Sequence, residues 1–280
     1  MTTVATPTGR RHATLRQLPY TLLGILFLAV MLFPIYWMLN ASLAPGGNAL
    51  DIGLIPTNPD LSGYVQAVTD QGANLVTSVI IAVGAMLLSL AVAAPCAYAL
   101  AHLRIKGTAV LLFFVLVSQM IPSIVIANAL YTAYTPIGML NTHVGLILAV
   151  ATQGIPFSIL IIRAYLQDFP MAIIEAARVD GAGHVRAFLS IVLPVSRNAL
   201  ITAGIFSFLF GWSDFLMALT LTTGESLRPV TLGLYMYIGT NNTDWGAVMA
   251  TAVLSSLPAI LLIALAQRYI AAGASGGAVK

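Results

Sequence analysis

The feature that most constrains this chain is a set of long apolar segments that recur along almost its whole length. Of its 280 residues, 59% are hydrophobic and only 8% are charged. Soluble domains carry about 25% charged residues, so this chain has more apolar surface than one soluble core can bury. Each segment is near or above the roughly 20 residues that a membrane-spanning helix requires. The segments are 19–42, 73–102, 108–134, 144–166, 193–221 and 246–266. They predict an all-α, polytopic membrane protein.

The basic residues indicate how these segments are oriented. With the N-terminus inside, every Lys and Arg except Arg228 lies on the cytoplasmic side or at the inner end of a span. Cytoplasmic loops carry an excess of Lys and Arg, so the reverse orientation would violate the positive-inside rule. We therefore predict six transmembrane helices with both termini cytoplasmic. The predicted organisation is a cytoplasmic tail over 1–18 and a transmembrane domain over 19–280, with outer loops at 44–72 and 222–245.

A polar stretch separates the fourth apolar segment from the fifth and faces the cytoplasm in this orientation. Its sequence predicts a short helix over 171–180, which Gly181 and Gly183 end because glycine favours helix C-termini. A second short helix is predicted over 184–190, and Pro194 is predicted to start the next long helix. The stretch is thus predicted to be a helix–glycine–helix unit at the inner membrane surface.

Seven residues of this stretch occur at a specific spacing: Glu175, Ala176, Ala177, Gly181, Ile191, Leu193 and Pro194. The pattern resembles the EAA loop (E-A-A-x3-G-x9-I-x-L-P) of permease subunits in binding-protein-dependent ABC importers. In that family the loop carries the coupling helix, which sits in a cleft of the ATPase subunit. The resemblance therefore implies a type I ABC importer permease fold with a coupling loop over 168–194. It assigns ATPase docking to Glu175, Ala176, Ala177, Gly181, Leu193 and Pro194. An ordinary cytoplasmic loop is the alternative.

Further segments resemble the carbohydrate-importing members of this family. The core over 74–193 is similar to the common permease core, and GMLNTHVG at 138–145 is similar to carbohydrate-importer permeases. The stretch 211–215 resembles their Trp-Asn-Asp/Glu-Phe motif, with Ser213 in place of Asn. The segment 267–280 resembles the C-terminus of the second permease subunit of maltose-type importers. The resemblance implies a sugar or sugar derivative as cargo, and a non-sugar solute is the main alternative.

The resemblance also implies partners and a location. It places the chain in a bacterial cytoplasmic membrane, beside a second, homologous permease subunit. An ABC ATPase dimer would dock beneath and bind the ATP and Mg, with no cofactor in this chain. An extracytoplasmic solute-binding protein would dock on the outer loop 222–245. The residues assigned to that contact are Thr240, Asn241, Asn242 and Thr243. A solvated loop is the alternative.

Several chemistries are absent from the sequence. A P-loop requires Gly-Lys-Ser/Thr, but the two lysines, Lys106 and Lys280, follow Ile105 and Val279. The four histidines are far apart and the chain has one cysteine, so a metal site is not predicted. The scattered basic residues do not predict nucleic-acid binding. We therefore expect a non-catalytic subunit, driven by a partner. A membrane enzyme would need a catalytic constellation, which this sequence lacks. An ion-driven secondary carrier is a weaker alternative.

Polar residues within the apolar segments are candidates for a substrate path. Amides bind hydroxyl groups and aromatic rings stack on sugar C–H faces. Asp214 is the only acid within a predicted span, and it either accepts hydrogen bonds from sugar hydroxyls or serves a helix end. For the others, hydrogen bonding between spans is the alternative. The candidates are Gln119, Asn128, Tyr131, Gln153, Trp212 and Asp214.

Overall fold

The computed structural model describes residues 9–44, 53–103, 105–224, 227–239 and 244–275, and all regular elements in these ranges are helices. Twelve are α-helical: α1 Gly9–Ser42, α2 Ser62–His102, α3 Thr108–Ser118, α4 Ser123–Tyr134, α5 His143–Gln167, α6 Met171–Val179, α7 His184–Ala187, α8 Leu193–Val195, α9 Arg197–Ser213, α10 Leu216–Leu221, α11 Val230–Gly239 and α12 Trp245–Ser275. A π-helical segment, Phe188–Val192, joins α7 to α8. The all-α prediction is confirmed.

Four helices in the described part of the chain are long and apolar enough to cross a membrane: Pro19–Ser42, Ser62–His102, His143–Gln167 and Trp245–Gln267. Two bent pairs also meet this criterion together. The α3–α4 pair bends by 92°, and the pair His184–Val195 with Arg197–Ser213 bends by 78°. Counting each bent pair as one span gives six, in agreement with the six apolar segments.

The first bend is explained by Pro122, which is extended (φ −59°, ψ 133°) immediately before α4. Proline has no backbone N–H and cannot continue a helical hydrogen-bond ladder. The second bend falls at Ser196, not at Pro194. The prediction that Pro194 starts the next long helix is therefore wrong: Pro194 lies in α8, and the long helix α9 begins at Arg197.

Other helix boundaries differ from the predicted segments at the outer loops. α2 begins at Ser62, well before the predicted span at 73, because Asp60 caps its start. The Asp60 carboxylate accepts from the Ser62 amide at 2.9 Å and from the Ser62 hydroxyl at 2.7 Å. Two helices begin where no helix was predicted: α1 begins inside the predicted tail 1–18, and α11 lies within the predicted outer loop 222–245.

The chain divides into two compact units. The first comprises Met1–Ala67 and Thr243–Val253. In it, the Ser42 hydroxyl lies 2.7 Å from the Tyr64 hydroxyl, and a Cβ on Gly63 would lie 2.9 Å from the carbonyl carbon of Gly246. Glycine there allows α2 and α12 to approach closely.

The second unit comprises Val68–Asn242 and Leu254–Lys280 and contains every candidate site residue that the structure describes. α5 has buried residues along much of its length, most of them apolar. Small residues let α2 and α9 pack closely on it. Ser158 on α5 and Ser207 on α9 share a hydrogen bond of 2.9 Å, and a Cβ on Gly154 would lie 2.5 Å from the Ser89 hydroxyl. Small side chains of this kind are typical of interfaces between membrane helices.

Candidate functional site

The predicted helix–glycine–helix unit is present, with α6 followed by α7. α6 ends in a Schellman arrangement: the Ala182 amide donates to the Ala177 carbonyl at 2.9 Å, and the Gly181 amide donates to the Arg178 carbonyl at 3.1 Å. Gly181 has φ 87°, a conformation that only glycine adopts without strain. Gly183 has φ −66° and precedes α7. Gly181 is therefore required by the backbone, whereas Gly183 is not.

α6 contacts the rest of the protein mainly through one side of the helix. Ile174 is its single buried residue, with 3% of its surface exposed. Glu175 and Ala176 are exposed, Ala177 is half-buried, and Val179 is 87% exposed. An anionic group, small alanines and exposed apolar side chains on one short helix suit insertion into a groove of another protein.

Both ends of the helix–glycine–helix unit formed by α6 and α7 are anchored in the same hydrophobic cluster. Phe169 and Ile174 enter it from the α6 side, and Ala187 and Val192 enter it from the α7 side. The rings of Phe169 and His102 lie edge to face, with centroids 6.3 Å apart, and His102 lies at the C-terminal end of α2. Because both ends share one core, movement of the unit must displace the ends of the spanning helices.

Not all residues assigned to ATPase docking share the exposed surface of α6. Leu193 is half-buried and packs against the hydrophobic cluster, so its side chain supports the loop from within. Pro194 is exposed, but it lies beyond the π-helical segment, in α8. The geometry therefore separates an exposed group, Glu175 and Ala176, from a supporting residue, Leu193.

The substrate-path candidates do not form one cluster in the described contacts. Gln119, Asn128 and Tyr131 are exposed, and the last two share one face of α4 because they are three residues apart. The Gln153 amide donates to the Ser123 hydroxyl at 3.3 Å, which joins α5 to the start of α4. For Gln153 this supports the alternative of hydrogen bonding between spans.

Trp212 is placed differently from its predicted role. Its indole is 6% exposed, stacks on Phe208 with ring centroids 5.8 Å apart, and donates to the Ser255 carbonyl at 2.9 Å. A ring buried in this way has no free face for a sugar. The prediction that Trp212 lines the substrate path is not supported, because its ring joins α9 to α12 within the core.

Asp214 lies in the break between α9 and α10, where its carboxylate accepts from the Ala218 amide at 3.2 Å. Its own carbonyl accepts from the Thr231 hydroxyl at 2.6 Å. The carboxylate thus serves the unpaired amides of the first turn of α10. Of the two predicted roles, this geometry supports the helix-end role.

The four residues assigned to binding-protein contact, Thr240, Asn241, Asn242 and Thr243, lie outside the described residues. Within the described ranges there is no group of three or more His, Cys, Asp or Glu side chains that could hold a metal ion.

The aromatic residues around the EAA loop were not among the predicted site residues. Tyr98 and His102 pack edge to face, with ring centroids 5.4 Å apart, and Tyr98 also contacts Phe188. Their spacing of four residues on α2 was visible in the sequence. What they contact across the chain was not, because packing partners depend on the bends that follow α5.

The fold and the exposed inner loop define an all-helical membrane permease. Residues 91–275 match the family described as the binding-protein-dependent transport system inner membrane component. The chain belongs to this family and is therefore an inner membrane component of a binding-protein-dependent transport system.

Two curated relatives and one solved structure illustrate the similarity. The trehalose/maltose transport system permease protein MalG of Thermococcus litoralis is 30% identical, over 96% of this chain and 99% of the relative. The trehalose transport system permease protein SugB of Mycobacterium tuberculosis is also 30% identical, over 97% and 99%.

The solved structure is a bacterial ABC transporter involved in the import of the acidic polysaccharide alginate. One of its chains matches with a TM-score of 0.76 and 23% identity, over 96% of this chain and 99% of that one. This likeness establishes a shared fold and confirms the predicted ABC importer permease architecture.

Proposed function

We propose that this chain is a permease subunit of an ATP-driven importer, moved by a separate ATPase that docks on α6. The observation that carries the proposal is the coupling-loop geometry. Glu175 and Ala176 are exposed in the middle of α6, a helix that Gly181 terminates and Ile174 anchors. A helix attached at both ends to the spanning helices can pass a push from the ATPase to the transmembrane core.

The proposed cargo is a sugar or sugar derivative. The relatives named for trehalose and maltose transport are similar over nearly the whole chain, which supports this class of cargo. The exposed amide and phenol side chains of Asn128 and Tyr131 on α4 are suited to sugar hydroxyls and C–H faces. We propose these two residues, with Gln119, as the path-lining group.

The proposed assembly contains a second, homologous permease subunit, an ATPase dimer and an extracytoplasmic solute-binding protein. ATP and Mg would bind to the ATPase. Closure of the ATPase dimer on ATP would draw the two coupling loops together. The transmembrane core then shifts between inward-open and outward-open states, because ATP binding favours one state over the other.

Two glycine substitutions test the coupling role with a matched control. A Cβ on either Gly181 or Gly183 would meet no atom within 4 Å, but only Gly181 has a positive φ. Gly181→Ala is expected to destabilise the native conformation of the loop by about 1–2 kcal/mol, because alanine is strained at a positive φ. It is expected to lower transport and ATPase stimulation together. Gly183→Ala is expected to leave both near wild type.

A third variant tests the docking face itself. Glu175→Lys reverses an exposed charge without touching the core, so the complex is expected to fold and bind its solute-binding protein but lose coupled transport. Normal uptake and normal ATPase stimulation in both Glu175→Lys and Gly181→Ala would contradict the proposed function.

The cargo is tested separately. The ATPase and the solute-binding protein that purify with this chain are identified, and the binding protein is screened with sugars by thermal shift. Stabilisation by a mono- or oligosaccharide supports a sugar importer. Stabilisation only by a non-sugar solute contradicts the cargo but leaves the coupling role intact.

A further inference from the structure

Asn141 has an unusual backbone conformation in the turn between α4 and α5. Its φ is 56°, and it is the single non-glycine residue with a positive φ among the described residues. Asparagine tolerates this region better than most residues, but glycine occupies it without strain. An asparagine here therefore suggests that its side chain has a role that glycine could not fill.

The side chain of Asn141 joins this turn to a segment far away in the sequence. Its Oδ1 accepts from the amides of Thr223 at 2.7 Å and Gly224 at 3.0 Å. Its Nδ2 donates to the Thr223 hydroxyl at 2.8 Å, and its backbone amide donates to the Leu221 carbonyl at 3.1 Å. Three of the four bonds reach the segment that follows α10, and the fourth reaches the last residue of α10.

The turn itself does not depend on these bonds. The Thr142 hydroxyl accepts from the Gly145 amide at 3.0 Å and donates to the Met139 carbonyl at 2.8 Å. These contacts cap α5 and close the turn locally. The bonds of Asn141 are therefore available to hold the other segment, which is the first part of the outer loop 222–245.

The same outer loop has a second attachment at α11. The Val230 amide donates to the Ser78 hydroxyl at 2.7 Å, and the Tyr237 hydroxyl donates to the Asp70 carboxylate at 3.0 Å. A Cβ on Gly233 would lie 2.4 Å from the Gln71 side chain, so α11 lies directly on α2. The described part of the loop is thus fixed near its start by Asn141 and further along by α2.

We propose that Asn141 is a positioning residue for the solute-binding protein: it fixes the start of the outer loop, so that the part of the loop that the structure describes is preformed for docking. The proposal rests on the proposed function, because it requires a binding protein that docks outside. Exposed hydrogen bonds of this kind contribute little to overall stability. Their effect is to remove the ordering cost that a loose loop adds to each docking event.

The test measures ATPase activity of the complete complex in nanodiscs as a function of binding-protein concentration. The binding protein is the one identified by co-purification, loaded with its sugar. Asn141→Gly keeps the positive φ and removes the three side-chain bonds. It is expected to raise the half-saturating concentration about three- to tenfold, with the maximal rate within about twofold of wild type.

Two further variants grade the effect. Asn141→Asp keeps an acceptor for the two amides and is expected to shift half-saturation less than Asn141→Gly. Thr223→Val removes the one hydroxyl partner and is expected to give a smaller shift, which keeps the test available if Asn141→Gly does not assemble. Thr135→Val is the control, because its hydroxyl bonds only to the Tyr131 carbonyl of its own helix at 2.7 Å.

The outcomes are distinguishable. Unchanged half-saturation in Asn141→Gly, or in Thr223→Val where Asn141→Gly does not assemble, overturns the positioning role. A fall in maximal rate with unchanged half-saturation also overturns it. A wild-type complex that the binding protein does not stimulate at any concentration overturns the proposed function instead.

Discussion

The ring of Tyr98 on α2 packs against the ring of Phe188 at the start of the π-helical segment, with centroids 5.2 Å apart and planes inclined by 39°. Tyr98 is 6% exposed and belongs to the hydrophobic cluster that also holds Ile174. The C-terminal part of α2 therefore contacts the coupling loop 168–194 at two places, through Tyr98 on Phe188 and through His102 on Phe169.

Removal of this aromatic contact is expected to weaken coupling. Tyr98→Ala should destabilise the protein by about 3–5 kcal/mol, because a buried aromatic ring leaves a large cavity. It should also lower the sugar transported per ATP hydrolysed in proteoliposomes. Tyr98→Phe retains the ring and should keep that ratio. Equal ratios in all three proteins would show that the contact does not transmit movement.

Close packing between α9 and α2 is expected to depend on Gly211. A Cβ at this position would lie 2.9 Å from the backbone Cα of Ala82, which cannot rotate away. Gly211→Ala should therefore lower stability by about 1–3 kcal/mol, measured by thermal unfolding in detergent. Gly72→Ala is the control on α2, because a Cβ there meets no atom within 4 Å. A destabilised Gly72→Ala with an unaffected Gly211→Ala would contradict this packing.

Substitutions of Asp214 distinguish its two predicted roles, hydrogen bonding to sugar hydroxyls and capping of a helix end. Asparagine caps helices about as well as aspartate, so Asp214→Asn should retain transport, whereas Asp214→Ala should lose about 0.5–2 kcal/mol of stability. Sugar uptake and thermal unfolding of both variants decide the matter. Loss of uptake in a stable Asp214→Asn protein would mean that the charge itself acts in the path.

Trp212→Phe tests whether the indole serves the core or the cargo. The variant keeps an aromatic ring for Phe208 but loses the hydrogen bond to the Ser255 carbonyl. We expect a loss of about 0.5–1.5 kcal/mol in stability and an unchanged KM for transport. A raised KM in a protein of wild-type stability would return Trp212 to the substrate path.

The start of α2 is expected to depend on pH through Asp60. The Ser62 amide and hydroxyl hold the pKa of the Asp60 carboxyl below its ordinary value of 3.8. A lowered pKa in the folded state means that the carboxylate supports the fold above the ordinary value. This support is lost as the pH falls through the lower, folded value. A carboxyl NMR titration of Asp60 should give a midpoint below 3.8, and a midpoint at the ordinary value would contradict this capping contact.

The coupling loop was the most predictable part of the molecule. Its helix, its terminating Gly181 and its exposed Glu175 follow from local rules, because glycine conformation and helix capping depend on neighbours in sequence. The six apolar segments were equally visible, since a bilayer selects length and composition. Both predictions depend only on residues that are close together in the sequence.

Contacts between distant residues were not visible in the sequence. Tryptophan is a residue type suited to binding sugars, which is why Trp212 was predicted to line the substrate path. Whether its side chain faces the core depends on where α2, α5 and α12 pack against α9. The role of Asn141 was not visible either, because its partners, Thr223 and Gly224, are 82 and 83 residues away along the chain. The bend at Ser196 was missed because Pro194 carried the stronger local signal.

The π-helical segment 188–192 has a consequence for how this chain tolerates insertions and deletions. A π turn is an α-helix that has accommodated one additional residue, and such turns are frequent at functional sites. Deletion of a single residue within 188–192 would convert this turn to a regular α-helix and leave His184–Ala187 facing nearly the same direction relative to α8, whereas the same deletion in a regular α-helix would rotate the flanking parts by about 100°. This short stretch can therefore lose one residue and still present the preceding loop at nearly the same angle to the long helix that follows.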